Sequence, residues 1–436
     1  MLKCGGFRKK KGKMSRSTPE PEPLGVPKNR VDQRHKLTAT RRNGLTTLDK
    51  WLLSQIEKRL VNISLRIQLW DQSTMSDNVP TVRIHDRGAL IRLIFNPELE
   101  FGDLYSSGRI EFFGNFDELI ESAYSYVKDT TTFARLIRRL RKLAAPDLAQ
   151  SRRNIHHHYD IGNDFYKLWL DEKAMQYTCA YYPSDSVDLE TAQQEKMHHV
   201  CRKLWLKPND TVVEAGCGWG GFALFMAQHY GVKVRAFNIS HEQILHAREW
   251  AKQKNLSDRV EFVEDDYRNV VGQYDVFVSI GMLEHVGRAN YQELGKIIKR
   301  SLKQTGRGLV HSIGRDKKIP FNPWIAKRIF PGAYPPTLKE MTSLFENNDL
   351  SVLDIENLRL HYAKTLKGWL DRYEENMDEV RRMFDDTFAR AWRLYLAGSR
   401  GAFKAGSLQL FQILFTRSSF NEIPSTRARI YPNSHG

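Results

Sequence analysis

Apolar residues recur at helical spacing over Leu45–Leu60. Shorter pieces rich in β-formers follow: NISLRIQLW from Asn62, TVRIHD from Thr81, LIRLIF from Leu90 and RIEFFG from Arg109. Their composition predicts strands. Phe116–Val127 returns to helical spacing, and Arg135–Lys142 (RLIRRLRK) reads as a basic helical connector before a boundary at Ala145–Pro146. Beyond it, Thr191–Leu206 is amphipathic, with Met197, Val200, Cys201 and Leu204 on one face. Strands are then predicted at Thr211–Ala215, Val232–Ile239, Val260–Glu264, Tyr274–Ser279 and Gly308–Ile313. Helices are predicted between them at Phe222–Tyr230, His241–Lys254 and Tyr291–Leu302. Leu366–Phe403 is mostly helical, and LQLFQILF (Leu408–Phe415) reads as a last strand before a polar tail. Alternation of strand and helix predicts an α/β fold with a doubly wound parallel sheet, preceded by a small α+β domain. The expected division is a tail over 1–43, the small domain over 44–145, the α/β domain over 146–416 and a C-terminal tail over 417–436.

Where the first of these strands ends, Val212–Gly221 reads V-V-E-A-G-C-G-W-G-G. Glycines there permit a sharp turn and let backbone amides approach a ligand at a helix N-terminus. A phosphate-binding P-loop needs Gly-Lys-Ser/Thr, which is missing, and the spacing is not G-x-G-x-x-G. The acid followed by alternate glycines resembles motif I of class I S-adenosylmethionine-dependent methyltransferases. Glu214, Gly216, Cys217, Gly218 and Gly220 would then form the cofactor cradle. The cofactor's sulfonium and amino group are cationic, so an acid nearby is favourable. The second strand ends in Asn238-Ile239-Ser240, where nucleotide-binding folds usually place an acid for the ribose. Asn238 or Gln243 could bond the ribose instead, while Ser240 could simply cap the next helix. Asp266 and Tyr267 follow the third strand, where adenine is expected; Asp266 is either its acceptor or an exposed loop acid.

The formal charge of +16 is unevenly placed: Met1–Asn43 holds thirteen Lys/Arg against three acids. That segment lacks an apolar period and is expected to be disordered. Its charge suits nucleic acid or anionic lipid headgroups, the latter at about 1 kcal/mol per basic residue near a membrane; a solubilising tail with no partner is the other reading. No run of eighteen apolar residues exists, no apolar secretory core follows the N-terminus, and Leu2 stands where N-myristoylation needs glycine. Four cysteines (Cys4, Cys179, Cys201, Cys217) lack metal-type spacing and suggest a reduced compartment. No metal is expected. A nucleic-acid methyltransferase is disfavoured, because the fourth strand ends in S-I-G-M-L-E-H rather than Asn/Asp-Pro-Pro-aromatic, and Pro-Cys is absent.

Glu284 and His285 at the end of the fourth strand, and His311 at the end of the fifth, share the rim with the glycine loop. Upstream, HHYDIGNDFY (His157–Tyr166) and MQYTCAYY (Met175–Tyr182) gather His, Tyr and Cys nearby. HHYDIGNDFY, YTCAYY, TAQQEKM, EAGCGWGG, GMLEHVG, LVHSIG, NPWIAKRIFPG and HYAKTL together resemble the cyclopropane fatty acid synthases, from about His157 to Phe415. The resemblance implies methylene transfer from S-adenosylmethionine to a cis double bond of an unsaturated phospholipid acyl chain. It also implies a bicarbonate base held by Cys179, Glu284, His311, the Ile313 amide and Tyr362, and cofactor contacts from Tyr177, Thr178, Asn238, Gln243 and Tyr267. A C-methyltransferase giving a branched chain and an amine N-methyltransferase are the alternatives on this scaffold. The implied setting is cytoplasmic, peripherally bound to the inner face of a phospholipid bilayer through anionic lipids, with a homodimer left open. Ser399 stands where the family often has cysteine, and is read as a wall residue. Phe321–Tyr334 is either an apolar wedge at the membrane or a packed loop over the site.

Overall fold

The computed structural model describes residues 24, 44–58, 65–71, 80–127 and 161–431. The basic connector, the boundary at Ala145–Pro146 and the first residues of HHYDIGNDFY lie outside them. So does the N-terminal tail, apart from Leu24, which is 5% exposed and belongs to the largest apolar cluster.

In the small domain, a helix at Thr47–Glu57 starts from a reciprocal cap between Thr46 and Asp49. Three strands follow: β1 (Arg66–Gln68), β2 (Thr81–Ile84) and β3 (Ile110–Phe113). β2 lies in the middle, parallel to β1 and antiparallel to β3. LIRLIF is a correction: it belongs to a helix, Arg87–Phe95. Asp86 accepts from the Ala89 amide at 3.0 Å and nucleates that helix, and local capping outweighs the β-propensity of isoleucine. A second helix, Pro97–Ser106, was not foreseen, although Pro97 at its first position and Glu98 and Glu100 in its first turn mark its start. Phe116–Val127 is helical as expected.

The large domain is built on a seven-stranded sheet. Its strands are β4 (Thr211–Ala215), β5 (Lys233–Asn238), β6 (Val260–Glu264), β7 (Tyr274–Ile280), β8 (Leu302–Gly314), β9 (Leu350–Asn357) and β10 (Gln409–Arg417). The order is β6-β5-β4-β7-β8-β10-β9. The first five run parallel, and β10 inserts antiparallel between β8 and β9. The sheet is therefore mixed rather than wholly parallel, and the edge strand β9 had not been predicted. Consecutive residues of β4 feed opposite faces: Val212 joins one apolar cluster and Val213 the other. Burial on both faces explains why these strands read as nearly continuous apolar runs.

A third, aromatic cluster lies beyond the strand ends. It joins residues 165–182 to helices Arg359–Glu375 and Asp386–Lys404, and takes in Tyr105, Phe116 and Ile120 of the small domain. Buried polar ties reinforce that junction. Arg390 donates to the Tyr105 and Ile110 carbonyls at 2.7 and 2.9 Å, and Arg328 pairs with Asp103 at 2.7 Å. The C-terminal tail is also anchored, with Ile430 buried and the Tyr431 hydroxyl donating to Glu356 at 3.2 Å. No helix among the described residues is long and apolar enough to cross a membrane.

Candidate active site

The loop after β4 is shaped by its own residues. Gly216, Gly218 and Gly220 all have positive φ, and at Gly220 (φ +86°) an added Cβ would lie 2.6 Å from the Phe262 ring and 2.8 Å from Ala247. Only glycine lets the helix Gly221–Tyr230 start there. The amides of Gly216 and Cys217 donate to the Phe237 carbonyl at 2.9 and 3.1 Å, which ties the loop to the end of β5. Asn238 closes the same corner, donating from its side chain to the Gly218 carbonyl at 3.1 Å and to Gln243 Oε1 at 2.8 Å. Two polar atoms at this corner are buried without a partner among the described residues: Glu214 Oε2 and Gln243 Nε2. Each suits a polar ligand, an acceptor for a cation and a donor for a hydroxyl. Ser240 does cap the following helix. Asp266 is buried, not an exposed loop acid, and accepts from the Arg268 amide at 2.9 Å; Tyr267 beside it is partly buried and receives Arg268 Nε at 3.4 Å.

Glu214 is buried opposite a residue that the sequence reading did not assign. Lys196 is fully buried on helix Leu189–Lys203, donating to Thr178 Oγ1 at 3.0 Å and to Gln176 Oε1. Burial pushes the Glu214 carboxyl up to about 8 against the pull of Lys196, and pushes Lys196 down to about 8. The signal was present in the amphipathic pattern, since Lys196 falls on the apolar stripe, where a cation needs a partner. Tyr177 bonds its hydroxyl to that of Tyr395 at 2.7 Å, and Thr178 approaches Gly281, just beyond β7. Met282 in turn lies against Gly216, so the ends of β4 and β7 share one rim.

The second set meets on the β8 side. The Ile313 amide donates to Glu284 Oε1, and the Gly281 amide donates to the His311 carbonyl at 2.9 Å. Ile313 pairs with Leu410 across β8 and β10, and the Leu410 carbonyl accepts from the Leu358 amide at 2.9 Å. The Leu358 carbonyl accepts from the Tyr362 amide at 3.1 Å and lies 3.9 Å from the Cys179 thiol. This chain of contacts brings Cys179, Glu284, His311, Ile313 and Tyr362 into one neighbourhood. Within it, Glu284 Oε2 and His311 Nε2 are buried without partners among the described residues. Burial raises the Glu284 carboxyl to about 7, and it also holds His311 well below the ordinary histidine range, hence neutral. The Cys179 and Cys217 thiols are pushed upward by burial, so neither is a thiolate nucleophile.

Loop Phe321–Tyr334 packs beside Glu284. Trp324, Arg328 and Ile329 are buried, Trp324 Nε1 donates to Asp103 at 3.1 Å, and the Tyr334 amide donates to the Glu284 carbonyl at 2.8 Å. Phe330 meets the rings of His285 and Tyr395. Of the residues read either as a membrane wedge or as a packed loop, Trp324 and Arg328 are buried, Ile325 and Phe330 are partly buried and Lys327 is exposed. His285 faces Phe330 and is driven by burial to about 4, so it stays neutral near neutral pH.

Known proteins resemble this chain over both of its domains. The family described as mycolic acid cyclopropane synthetase matches residues 147–413, and a domain of unknown function matches residues 52–133. A probable fatty acid methyltransferase of Pseudomonas putida is 32% identical, over 87% of this chain and 100% of its own length. The cyclopropane-fatty-acyl-phospholipid synthase of Escherichia coli K12 is 38% identical, over 62% of this chain and 69% of its own. Among solved structures, the cyclopropane synthase MmaA2 of Mycobacterium tuberculosis superposes with a TM-score of 0.59 at 26% identity, covering 62% of this chain and all of that one. The mycolic acid cyclopropane synthase CmaA1, complexed with SAH and CTAB, gives 0.58 at 26% identity, covering 63% of this chain and 99% of that one. With a class I methyltransferase sheet and a glycine loop at its centre, the chain belongs to the mycolic acid cyclopropane synthetase family of S-adenosylmethionine-dependent methyltransferases.

Proposed function

We propose that the protein transfers a methylene group from S-adenosylmethionine to the cis double bond of unsaturated phospholipid acyl chains, closing a cyclopropane ring. The observation that carries this reading is the pair of buried atoms, Glu284 Oε2 and His311 Nε2, that have no hydrogen-bond partner among the described residues and lie beside the cofactor rim. Methyl transfer to an amine or hydroxyl releases its proton from the heteroatom; ring closure needs a base beside the reacting methyl itself, because a proton must leave the carbon that was transferred.

Bound in its loop, S-adenosylmethionine would supply an electrophilic methyl group. The chain's share is to position and to exclude water. An alkene is a poor nucleophile, so its alignment with the methyl group and the removal of solvent matter most. Loop Phe321–Tyr334 and the aromatic cluster of Tyr166, Trp169, Tyr177, Trp369, Trp392 and Tyr395 provide a dry wall. Their π faces favour the positive charge that develops on the acyl chain.

The residues present fit a small oxyanion. His311 and Tyr362 can donate hydrogen bonds, and Glu284, raised to about 7, is partly protonated near neutrality and can donate as well. That removes the oddity of a carboxylate beside an anion. Bicarbonate held there would supply the base for the departing proton. The Cys179 thiol, expected among the donors, is engaged by the Ala180 carbonyl at 3.1 Å in this structure. The Ile313 amide, also expected among them, is engaged by Glu284 Oε1, so its part is to hold Glu284.

A second reading, a methyl-branched product, is favoured by the Pseudomonas relative's description as a fatty acid methyltransferase. A saturated branch requires reduction as well as methyl transfer, whereas the polar set is suited to proton removal alone. Purified protein with S-adenosylmethionine and vesicles of cis-unsaturated phospholipid should yield acyl chains heavier by one CH2, with olefin lost and cyclopropyl protons in the NMR spectrum. A branched methyl signal, or methylation of an added amine with none of lipid, would overturn the reading. Vesicles carrying anionic lipid should bind the protein peripherally, and co-sedimentation measures that.

A further inference from the structure

Behind His311 lies a buried row that the reaction as described does not use. His311 on β8, Gln412 on β10 and Glu356 on β9 are directly paired across three adjacent strands, so they share one face of the sheet. Lys203, in the last turn of helix Leu189–Lys203, reaches that row. Its Nζ donates to Glu356 Oε2 at 2.5 Å and to Gln412 Oε1 at 2.9 Å. Gln412 Nε2 lies 3.1 Å from His311 Nδ1. Lys203, Gln412 and His311 are all at most 1% exposed. Glu356 is held further by His199 Nε2 at 2.7 Å and by the Tyr431 hydroxyl.

The direction of each bond follows from chemistry. An ammonium can only donate, so the Gln412 atom facing Lys203 is its carbonyl oxygen, and its NH2 faces His311. An NH2 donates, so His311 Nδ1 is the bare nitrogen. The ring is neutral, which leaves its proton on Nε2, the atom buried without a partner among the described residues. The opposite tautomer would set two donors against each other. Burial pushes the Glu356 carboxyl up, but the His199 bond and the Lys203 charge outweigh this and bring it to about 2, so the row keeps its polarity through ordinary pH.

We propose that Gln412, with Lys203 and Glu356 behind it, is a positioning element that locks His311 in its Nε2–H tautomer and presents that N–H as a fixed donor to the oxyanion of the catalytic pocket. The inference rests on the reading of His311 given under Proposed function. It adds that the donor character of His311 is set by side chains on β9, β10 and a helix, none of which touches the reactants. Of the two ring nitrogens, the one that is bonded decides what the other can do.

Full-length protein labelled with 15N-histidine, with His311 assigned by difference from His311→Asn, tests the lock directly. The expected spectrum has His311 protonated at Nε2 and bare at Nδ1; a proton on Nδ1 overturns the proposal. Gln412→Met should release the ring into mixed tautomers and lower kcat about 10–100-fold, the usual effect of removing a partner that orients a site residue. The dissociation constant for S-adenosylmethionine should stay unchanged. Lys203→Met frees the Gln412 amide to rotate, and should shift the same signals with a smaller loss. If Gln412→Met does not fold, the parent spectrum and Lys203→Met decide. Full activity in Gln412→Met, with His311→Ala inactive, removes the positioning role alone. Full activity in His311→Ala removes the reading of the pocket and the proposal with it.

Discussion

Between the ends of β4 and β5, the cofactor corner takes its shape from two short stretches of chain, Glu214–Gly220 and Phe237–Gln243. Three positive-φ glycines, one acid and one Asn–Gln pair complete it. The polar set around His311 is assembled differently, from Cys179, Glu284, Ile313 and Tyr362, with Leu358 and Leu410 linking them through backbone bonds. The first region is rigid because its backbone admits few alternatives. The second depends on polar groups buried at a cost, each held by a partner from another element. Damage to the cofactor corner should therefore appear as lost folding and lost cofactor affinity. Damage to the polar set should spare both and remove turnover.

Glu284→Gln should give the largest effect. Turnover on vesicles should fall by about 10²–10⁴-fold, the range for groups that handle protons, while calorimetry should find S-adenosylmethionine affinity nearly unchanged. Lost cofactor binding would erase the distinction between the two regions. Gly220→Ala attacks the other side. Its Cβ meets Phe262 and Ala247 in a left-handed conformation, and denaturant unfolding should show a loss of about 2–4 kcal/mol, with weakened cofactor binding.

Acidity supplies the third test. The folded Glu284 carboxyl is raised from 4.5 to about 7, so the native state holds that proton more tightly than the unfolded chain. Its contribution is fully present below about pH 4.5 and is lost as pH rises through 7. Relative to the parent, Glu284→Gln should therefore gain stability across that window, by about 3 kcal/mol at pH 8. Equal stability of the two proteins from acid to alkali would mean that the carboxyl is not buried. Ser399→Cys should do least. Ser399 is half-buried in helix Asp386–Lys404, and because attack by an alkene needs no enzyme nucleophile, kcat should change less than about twofold.

Legibility followed the same divide. Thr211–Ala215, Val260–Glu264 and Phe116–Val127 occupy their predicted bounds, because apolar runs and helical spacing act locally. LIRLIF failed because one capping aspartate redirected a β-prone segment. β9 was missed because an edge strand carrying Ser351, Asp354 and Glu356 shows no clean alternation. In the site, the glycine loop and the rim position of Glu284 and His311 could be read from motifs. Lys196 and Lys203 could have been suspected as cations on an apolar stripe. Gln412 could not, since nothing in LQLFQILF separates a buried polar relay from a tolerated glutamine.

By itself the chain determined an α/β domain with a nucleoside-cofactor loop, because backbone sterics and apolar periodicity depend on neighbours in sequence. Only the tertiary structure decided that β10 runs antiparallel between β8 and β9, and so that Gln412 stands against His311 with Glu356 beyond it. Which nitrogen of His311 carries the proton follows from that register. Hydrogen-bond direction is imposed by partners in space, and those partners come from strands and a helix far apart in the sequence.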